Sequence, residues 1–489
     1  MIHHSFGVFD IVHLPLYTGN RKRREHQTKM KRHETDLLHG PLWNKIPLFA
    51  LPVAATAILE QLFNASDVAV VGNFTGSNST VSVAAVGANS PITGLILNLF
   101  IGIALGANVV IATAIGRGDH ETVGRAVHTA ILMALAGGVL VALLGEAAAA
   151  PLLGMLNVPE DVFPFALLYL RIYLLGLPVI FLYNFEAAIF RSVGDTRTPL
   201  IALTFSGVLN VVLNLFFVIV LKMTVNGVAI ATVISNAVSS LLLLYRLVHT
   251  DMAIRVSARA LQFDRASFRK IVQIGLPAGI QSAVFAFANI IVQAAINSLG
   301  TVVIAASSAA FNIEVIAYYT FNSFSQACTT FVGQNYCARQ LDRCRRTFAL
   351  CLLEDVLVTV TVMGVVLCFG HSLLALFNRD PEVIALGYTR LSIIFFGYLF
   401  SLLYELMSGY LRGFGISLAP AVLTTLGVCG IRIFWVQAVF PRHADFQTLM
   451  LVYPLSLFVT AVLILAALIV CRPTTRMKQQ EQRRSPHES

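Results

Sequence analysis

Arg191-Ser-Val-Gly194-Asp-Thr-Arg-Thr-Pro199 returns later in the chain as Arg412-Gly-Phe-Gly415-Ile-Ser-Leu-Ala-Pro420. Each copy closes a long apolar run, and the two stand 221 positions apart (412 − 191). The same offset relates Leu152, Leu153 and Asn157 to Leu373, Leu374 and Asn378, and Gly176 and Tyr183 to Gly397 and Tyr404. Pro52 and Pro277 are 225 apart, and Gly116 and Gly333 are 217 apart, so small insertions and deletions separate two otherwise parallel halves. A duplicated hydrophobic chain is the layout of a secondary transporter, whose substrate path lies between related lobes.

The rest of the composition agrees with a membrane location. Apolar residues make up 57% of the chain, charged residues only 12%, and the mean hydropathy is +0.76, whereas a soluble domain carries about 25% charged residues. Runs of about 20 apolar residues are long enough to cross the hydrocarbon core as helices. Twelve are predicted, near 44–70, 82–114, 122–150, 162–190, 198–220, 227–248, 270–298, 303–332, 347–376, 384–411, 419–440 and 448–471. These runs are continuous, which excludes the alternating strands of a β-barrel. Six per half means that both halves enter from the same side, so the repeats are parallel. The expected fold class is an all-α integral membrane protein, with twelve transmembrane helices in two parallel-repeat six-helix lobes around a central cleft. Residues 1–43 form a basic tail, disordered over 1–40; 44–248 and 270–471 form the lobes; 249–269 is an inter-lobe linker lying on the membrane surface; and 472–489 is a second tail.

Basic residues set the orientation. With the N-terminus in the cytoplasm, 28 of the 34 Lys and Arg fall on inside segments. Only Lys222, Arg379 and Arg442 fall outside, and Arg171, Arg390 and Arg432 lie within helices. Both termini are therefore predicted to be cytoplasmic. The net charge of +9 follows from this bias and from anionic inner-leaflet lipid, so no nucleic-acid partner is implied. The cluster Arg21-Lys22-Arg23-Arg24 reads as a solvated, lipid-facing tail. Seven cysteines, all in the second half and without CxxC spacing, suggest packing thiols and neither a disulfide nor a metal site. No GxxxxGK[ST] loop, HExxH or GxSxG element is present, so ATP-driven transport and the commoner membrane enzymes lose support.

Ionisable groups inside a bilayer are costly and mark functional sites by default. On the first predicted helix, Glu60, Asn64 and Asp67 share one face, with Gln61 beside Asn64 and Pro52 upstream where a bend is permitted. Asp67 is the foremost candidate for ion coupling, and Glu60 the second. The fourth helix carries Arg171, Asn184 and Glu186, and the tenth carries Arg390 and Glu405. Arg171 and Arg390 lie near the outer helix ends, where snorkelling to the headgroups is the expected behaviour. Glu186 and Glu405 are candidates for pairing with an interior arginine, and Glu314, Glu354 and Asp355 are further intramembrane acids. Asn210 and Asn214, one turn apart, either coordinate an ion or bridge helices. Phe285, Tyr318 and Tyr398 are among the aromatics that could line a cleft for flat organic cations.

Gln61-Leu-Phe-Asn64-Ala-Ser-Asp67-Val-Ala-Val-Val-Gly72 is similar to the QLYNxxDxxxxG pattern of the MATE (multidrug and toxic compound extrusion) family. Arg191–Pro199 resembles its RxxGDTxxP turn, and Leu209-Asn210-Val-Val-Leu213-Asn214 its LNxxLD element. Gly116-Arg-Gly118-Asp119 and Phe331-Val-Gly333-Gln334-Asn335-Tyr-Cys-Ala338 also fit, and the likeness, to the DinF-like branch in particular, spans 44–471. The resemblance implies export of cationic or amphipathic small molecules across a bacterial inner membrane in exchange for H+, with Na+ as the alternative coupling ion and no other cofactor. It implies Asp67 as the coupling residue; Glu60, a charge that the family's helix 1 pattern lacks, and Asn64, Asn210 and Asn214 are assigned to assist it. Gln61, Asn184, Glu186, Glu314 and Tyr318 are assigned to the substrate cleft, and a monomer is expected. The chain departs from the family at Asn214, where an aspartate is usual, and at Phe285, where some relatives carry a glutamate. Two rival readings are a flippase for a lipid-linked precursor, which needs a basic cavity, and a non-transporting receptor or scaffold.

Overall fold

The computed structural model describes residues 36–156 and 158–475. The basic cluster at 21–32, Asn157 and most of the C-terminal tail lie outside the described residues. Twelve spans follow in order: α1 (Lys45–Phe74), α2 (Ser79–Gly116), α3 (His120–Met155), α4 (Phe163–Leu175 and, after a 50° bend, Leu177–Ser192), α5 (Arg197–Val220) and α6 (Val225–His249). The second half repeats the plan with α7 (Arg265–Asn297), α8 (Thr301–Cys337), α9 (Leu341–Ala375), α10 (Pro381–Gly413), α11 (Leu418–Arg442) and α12 (Phe446–Thr475). The bend in α4 falls at Gly176-Leu-Pro178, where the ring of Pro178 removes a backbone donor.

The duplicated turn that betrays the repeat has a backbone reason. Gly194 and Gly415 both adopt positive φ (85° and 80°), the left-handed region open to glycine at a helix C-terminus. In the first copy the Asp195 carboxylate accepts from the amides of Arg197 and Thr198 and from the Thr198 hydroxyl, capping α5.

Both described ends meet at one face, beside the turn between α8 and α9. Arg343 donates to the carbonyls of Leu37, His39 and Gly40, and Arg345 to the Thr474 hydroxyl. Leu37 and Leu42 are buried, so the disorder expected up to residue 40 gives way to a docked strap from Asp36 onward. The start of α1 (Ile46, Phe49, Val53) packs into the second half, against Phe324, Phe331 and Cys351. Farther along, Val70 and Val71 belong to the core of the first half. The first span therefore leans across the seam between the halves.

On the side of this terminal face the halves are tightly joined. A Cβ on Gly102 of α2 would lie 2.2 Å from the Gly279 Cα of α7, and one on Gly116 would lie 2.1 Å from the Gln334 carbonyl oxygen. Small residues let backbones meet in this way. Asn108 of α2 accepts from the Thr330 hydroxyl of α8 at 3.1 Å. The connection after α6 is mostly irregular chain. It holds a single three-residue turn, Ala258–Ala260, and is strapped to α3 where the Ser257 and Asp264 amides donate to His128 Nε2 and Thr129 Oγ1. Asp264 caps α7, which begins several residues before the predicted 270.

Candidate functional site

Two cavities open beyond this seal, one in each half. The first, of about 120 Å³, is walled by α1, α2, α4, α5 and α6 and includes Glu60, Asn64, Asp67, Asn184 and Asn210. Asp67 is buried, with 4% of its surface exposed. Its Oδ1 accepts from Asn214 Nδ2 at 2.6 Å and its Oδ2 from the Thr232 hydroxyl at 2.9 Å. Asn214 spends its second amide hydrogen on Asn210 Oδ1 at 3.1 Å. The one-turn spacing of the two asparagines on α5 places both over the carboxylate, so the aspartate missing at 214 is replaced by a donor.

Thr232 has one hydroxyl proton and two acceptors within reach, Asp67 Oδ2 and the Val228 carbonyl at 3.0 Å. When Asp67 is ionised, the hydroxyl donates to the carboxylate. When Asp67 carries a proton, that proton can be donated to the Thr232 oxygen while the hydroxyl turns to Val228. The network closes in either state without moving a helix. Thr232 was not among the sequence candidates, although the polar stripe Thr232, Ser235, Asn236 and Ser239 on the sixth predicted helix was there to be read.

Glu60 faces the same cavity with no hydrogen bond or ion pair among the described residues, and stands apart from the Asp67 network. Asn64 lines the cavity without a hydrogen bond to Asp67. Gln61 lines neither cavity; it bridges the halves by donating to the Tyr319 hydroxyl at 2.8 Å. Glu186, assigned to the cleft from sequence, is fully buried between α4 and α6, where it accepts from Ser240 at 2.9 Å and meets no arginine. Its side chain is turned to Ser240 of α6 and does not line the cavity, so it serves helix packing.

The second cavity, of about 300 Å³, is lined from α7, α8, α10, α11 and α12, with Asn98 of α2 added from the first half, and contains Glu314 and Tyr318. Arg390 does not snorkel. It is 3% exposed and forms a two-pronged pair with Glu314, Nη2 to Oε1 at 2.8 Å and Nε to Oε2 at 3.2 Å. Arg171 is half exposed and pairs with Glu146 of α3 at 3.5 Å. Glu405 pairs with Arg412 at 3.6 Å. Arg432, 1% exposed, stands over the rings of Phe285 and Tyr453, at 5.0 and 4.5 Å from their centroids. It donates to Asn289 Oδ1 and Ser456 Oγ.

Two six-span halves, sealed on one face and hollow beyond the seal with intramembrane acids at the cavity walls, define a secondary membrane transporter. The MatE family profile matches residues 52–216 and 277–436, so the chain belongs to the MatE family and is a transporter, not an enzyme. It is 25% identical over 402 residues to a probable multidrug resistance protein, YoeA, of Bacillus subtilis, covering 80% of this chain and 86% of that one. It is also 25% identical over 398 residues to a probable multidrug resistance protein, NorM, of Thermotoga maritima (78% and 82%). A third relative, 26% identical over 353 residues, is an FAD transporter of Shewanella oneidensis (71% and 77%). In fold it matches a multidrug resistance MATE transporter of the MOP superfamily in an outward-facing conformation, with a TM-score of 0.82 at 21% identity over 91% of this chain and 99% of that one.

Proposed function

We propose that the protein is a proton-coupled antiporter that exports cationic or amphipathic small molecules, with 44–248 and 270–471 as its moving lobes and Asp67 as the coupling acid. The observation that carries this reading is the Asp67–Asn214–Thr232 network, which accepts or releases a proton by turning one hydroxyl. Protonation removes a charge from the wall of the first cavity and so weakens its hold on a cation. A ligand or proton can bias the two lobe arrangements only by its differential affinity for them. Asp67 supplies that difference if its cavity is hydrated in one arrangement and closed in the other. Na+ is the alternative ion: the buried Oδ1 of Asn214 has no donor, and turning that amide over offers oxygens toward the carboxylate. The multidrug names of the relatives support the substrate class. The gathering of 28 of the 34 Lys and Arg on the segments of one side supports cytoplasmic termini in a bacterial inner membrane.

The lipid-linked precursor flippase is disfavoured because Arg390 and Arg412 are neutralised by Glu314 and Glu405, leaving too little free positive charge for a pyrophosphate. The test is dye efflux from proteoliposomes under an imposed pH gradient, compared with an imposed Na+ gradient. Asp67→Asn should abolish gradient-driven efflux while leaving a folded, membrane-embedded protein, since asparagine keeps one acceptor for Asn214. Parental efflux by that variant refutes the assignment.

A further inference from the structure

We propose that the cavity of the second half is a binding subsite for a planar aromatic anion, with Arg432 as the residue that takes its negative charge. Three arginines of this half are buried, and two of them have carboxylate partners: Arg390 with Glu314 and Arg412 with Glu405. Arg432 has none within 4 Å among the described residues, although it is the most enclosed of the three at 1% exposure. A guanidinium withdrawn from water without a counter-charge is retained at a cost, and neutral Asn289 and Ser456 offset only part of it.

The geometry says how an anion would approach. The Phe285 and Tyr453 rings lie 5.0 and 4.5 Å from the guanidinium carbon, and the N–H donors of a guanidinium point outward in its own plane. Nε is given to Ser456 and Nη1 to Asn289, which leaves Nη2 without a hydrogen bond among the described residues. Arg432 is itself part of the cavity wall. A carboxylate placed there would receive charge-assisted hydrogen bonds edge-on, the geometry in which arginine binds carboxylates best. The neighbouring wall is aromatic: Tyr318 and Tyr398 both meet Phe321 edge-to-face, at 5.2 and 5.4 Å, and line the same cavity. The volume of about 300 Å³ is at the lower end for small-molecule sites and suits one or two fused rings. Arg432 has no function in the coupling scheme of the first half, so this subsite stands or falls apart from Asp67.

The experiment is equilibrium titration of the purified full-length protein in detergent with 2-naphthoate and, in parallel, with the isosteric cation 2-naphthylmethylammonium. No gradient is involved, so failure of proton coupling does not affect the result. The parent should bind naphthoate, with the cation, a ligand for the Asp67 cavity, as the control. Arg432→Gln should weaken naphthoate at least tenfold and leave the cation unchanged. Because Arg432 is buried and its removal can cost folding, Phe285→Glu is the second variant. It supplies an internal carboxylate to the guanidinium and should displace naphthoate, again at least tenfold, without loss of thermal stability. The proposal is overturned if the parent binds no naphthoate. It is equally overturned if either folded variant binds naphthoate as tightly as the parent does.

Discussion

In the first half, the opening helix presents Glu60, Asn64 and Asp67 toward a cavity. In the second half, the offset of 225 that relates Pro52 to Pro277 puts Phe285, Asn289 and Val292 at the same positions. The closing helices differ in the same sense. Thr232 and Ser235 of α6 correspond, at an offset of 221, to Tyr453 and Ser456 of α12. The first set surrounds a carboxylate with small donors; the second surrounds a guanidinium with rings and oxygens. The residue type is common to both only at 64 and 289, both asparagine, and at 235 and 456, both serine. The duplication preserved where the cavities lie while the chemistry of their walls diverged, so a residue's function does not transfer from one half to the other by alignment.

The contrast is broken most severely at the ion pair that only the second cavity contains. Glu314→Ala leaves the Arg390 guanidinium buried and uncompensated, and removal of one partner of a buried pair costs about 3–5 kcal/mol. Thermal unfolding in detergent should show this as a large loss. Asp67→Asn, which removes no counter-ion, should change stability by less than about 1 kcal/mol. Comparable losses for the two variants would mean that Asp67 is itself tied to an unrecognised cation.

The seal between the halves is the next target. Gly279→Val would put a Cβ 2.3 Å from the Leu99 carbonyl oxygen. That strain, about 1–3 kcal/mol for overpacking, applies only while the terminal face is closed. The variant should therefore open that face, read as increased labelling of cysteines placed along α2 by a membrane-impermeant reagent. Gly364→Val, whose Cβ would meet nothing within 4 Å, should leave the labelling unchanged. Equal labelling in both variants would show that the glycine contacts do not hold the halves together.

Within the cavities, Thr232→Val and Tyr453→Phe compare equivalent positions. Valine removes the hydroxyl that follows the Asp67 proton, and a loss of about 1.4 kcal/mol in coupling corresponds to a tenfold slower proton-driven efflux. Phenylalanine keeps the ring over Arg432 and should leave efflux within about twofold of the parent, a difference of under roughly 0.5 kcal/mol. If Thr232→Val pumps at the parental rate, the hydroxyl switch is not part of the cycle.

The architecture was legible because hydrophobic length and the repeated Gly194 and Gly415 turns are local signals: twenty apolar residues and a positive φ need no knowledge of neighbours. The one-face spacing of Asp67 with Glu60 and of Asn210 with Asn214 was also local. What the sequence did not disclose were the pairings across helices. Arg390 near a helix end reads as an exposed, snorkelling group until Glu314, 76 positions earlier, is seen to lie against it. Arg432 was legible only as an arginine within a helix, since its partners Phe285, Asn289 and Tyr453 come from two other spans. Thr232 and Glu186 failed in opposite directions for the same reason. A polar residue on a span faces a cavity or a neighbouring helix according to packing, and periodicity within its own helix does not decide which.

The smallest expected effect concerns a turn that the two halves build from different residues. Gly118, after α2, adopts φ of 69°, and Arg339, 221 positions later after α8, adopts 59°. The backbone is the same, yet only the first copy uses the residue that enters this region without a steric penalty. An arginine held there is strained by about 1–2 kcal/mol, partly offset because glycine loses more freedom on folding. Arg339 is exposed, so its side chain contributes little packing to set against this. Arg339→Gly should therefore raise stability by about 0.5 kcal/mol, and Gly118→Arg should lower it by about 1 kcal/mol, both read from thermal midpoints of the purified protein. A destabilised Arg339→Gly variant would mean that the guanidinium holds the turn from outside, and the two halves would then differ in how this turn is stabilised as well as in their cavities.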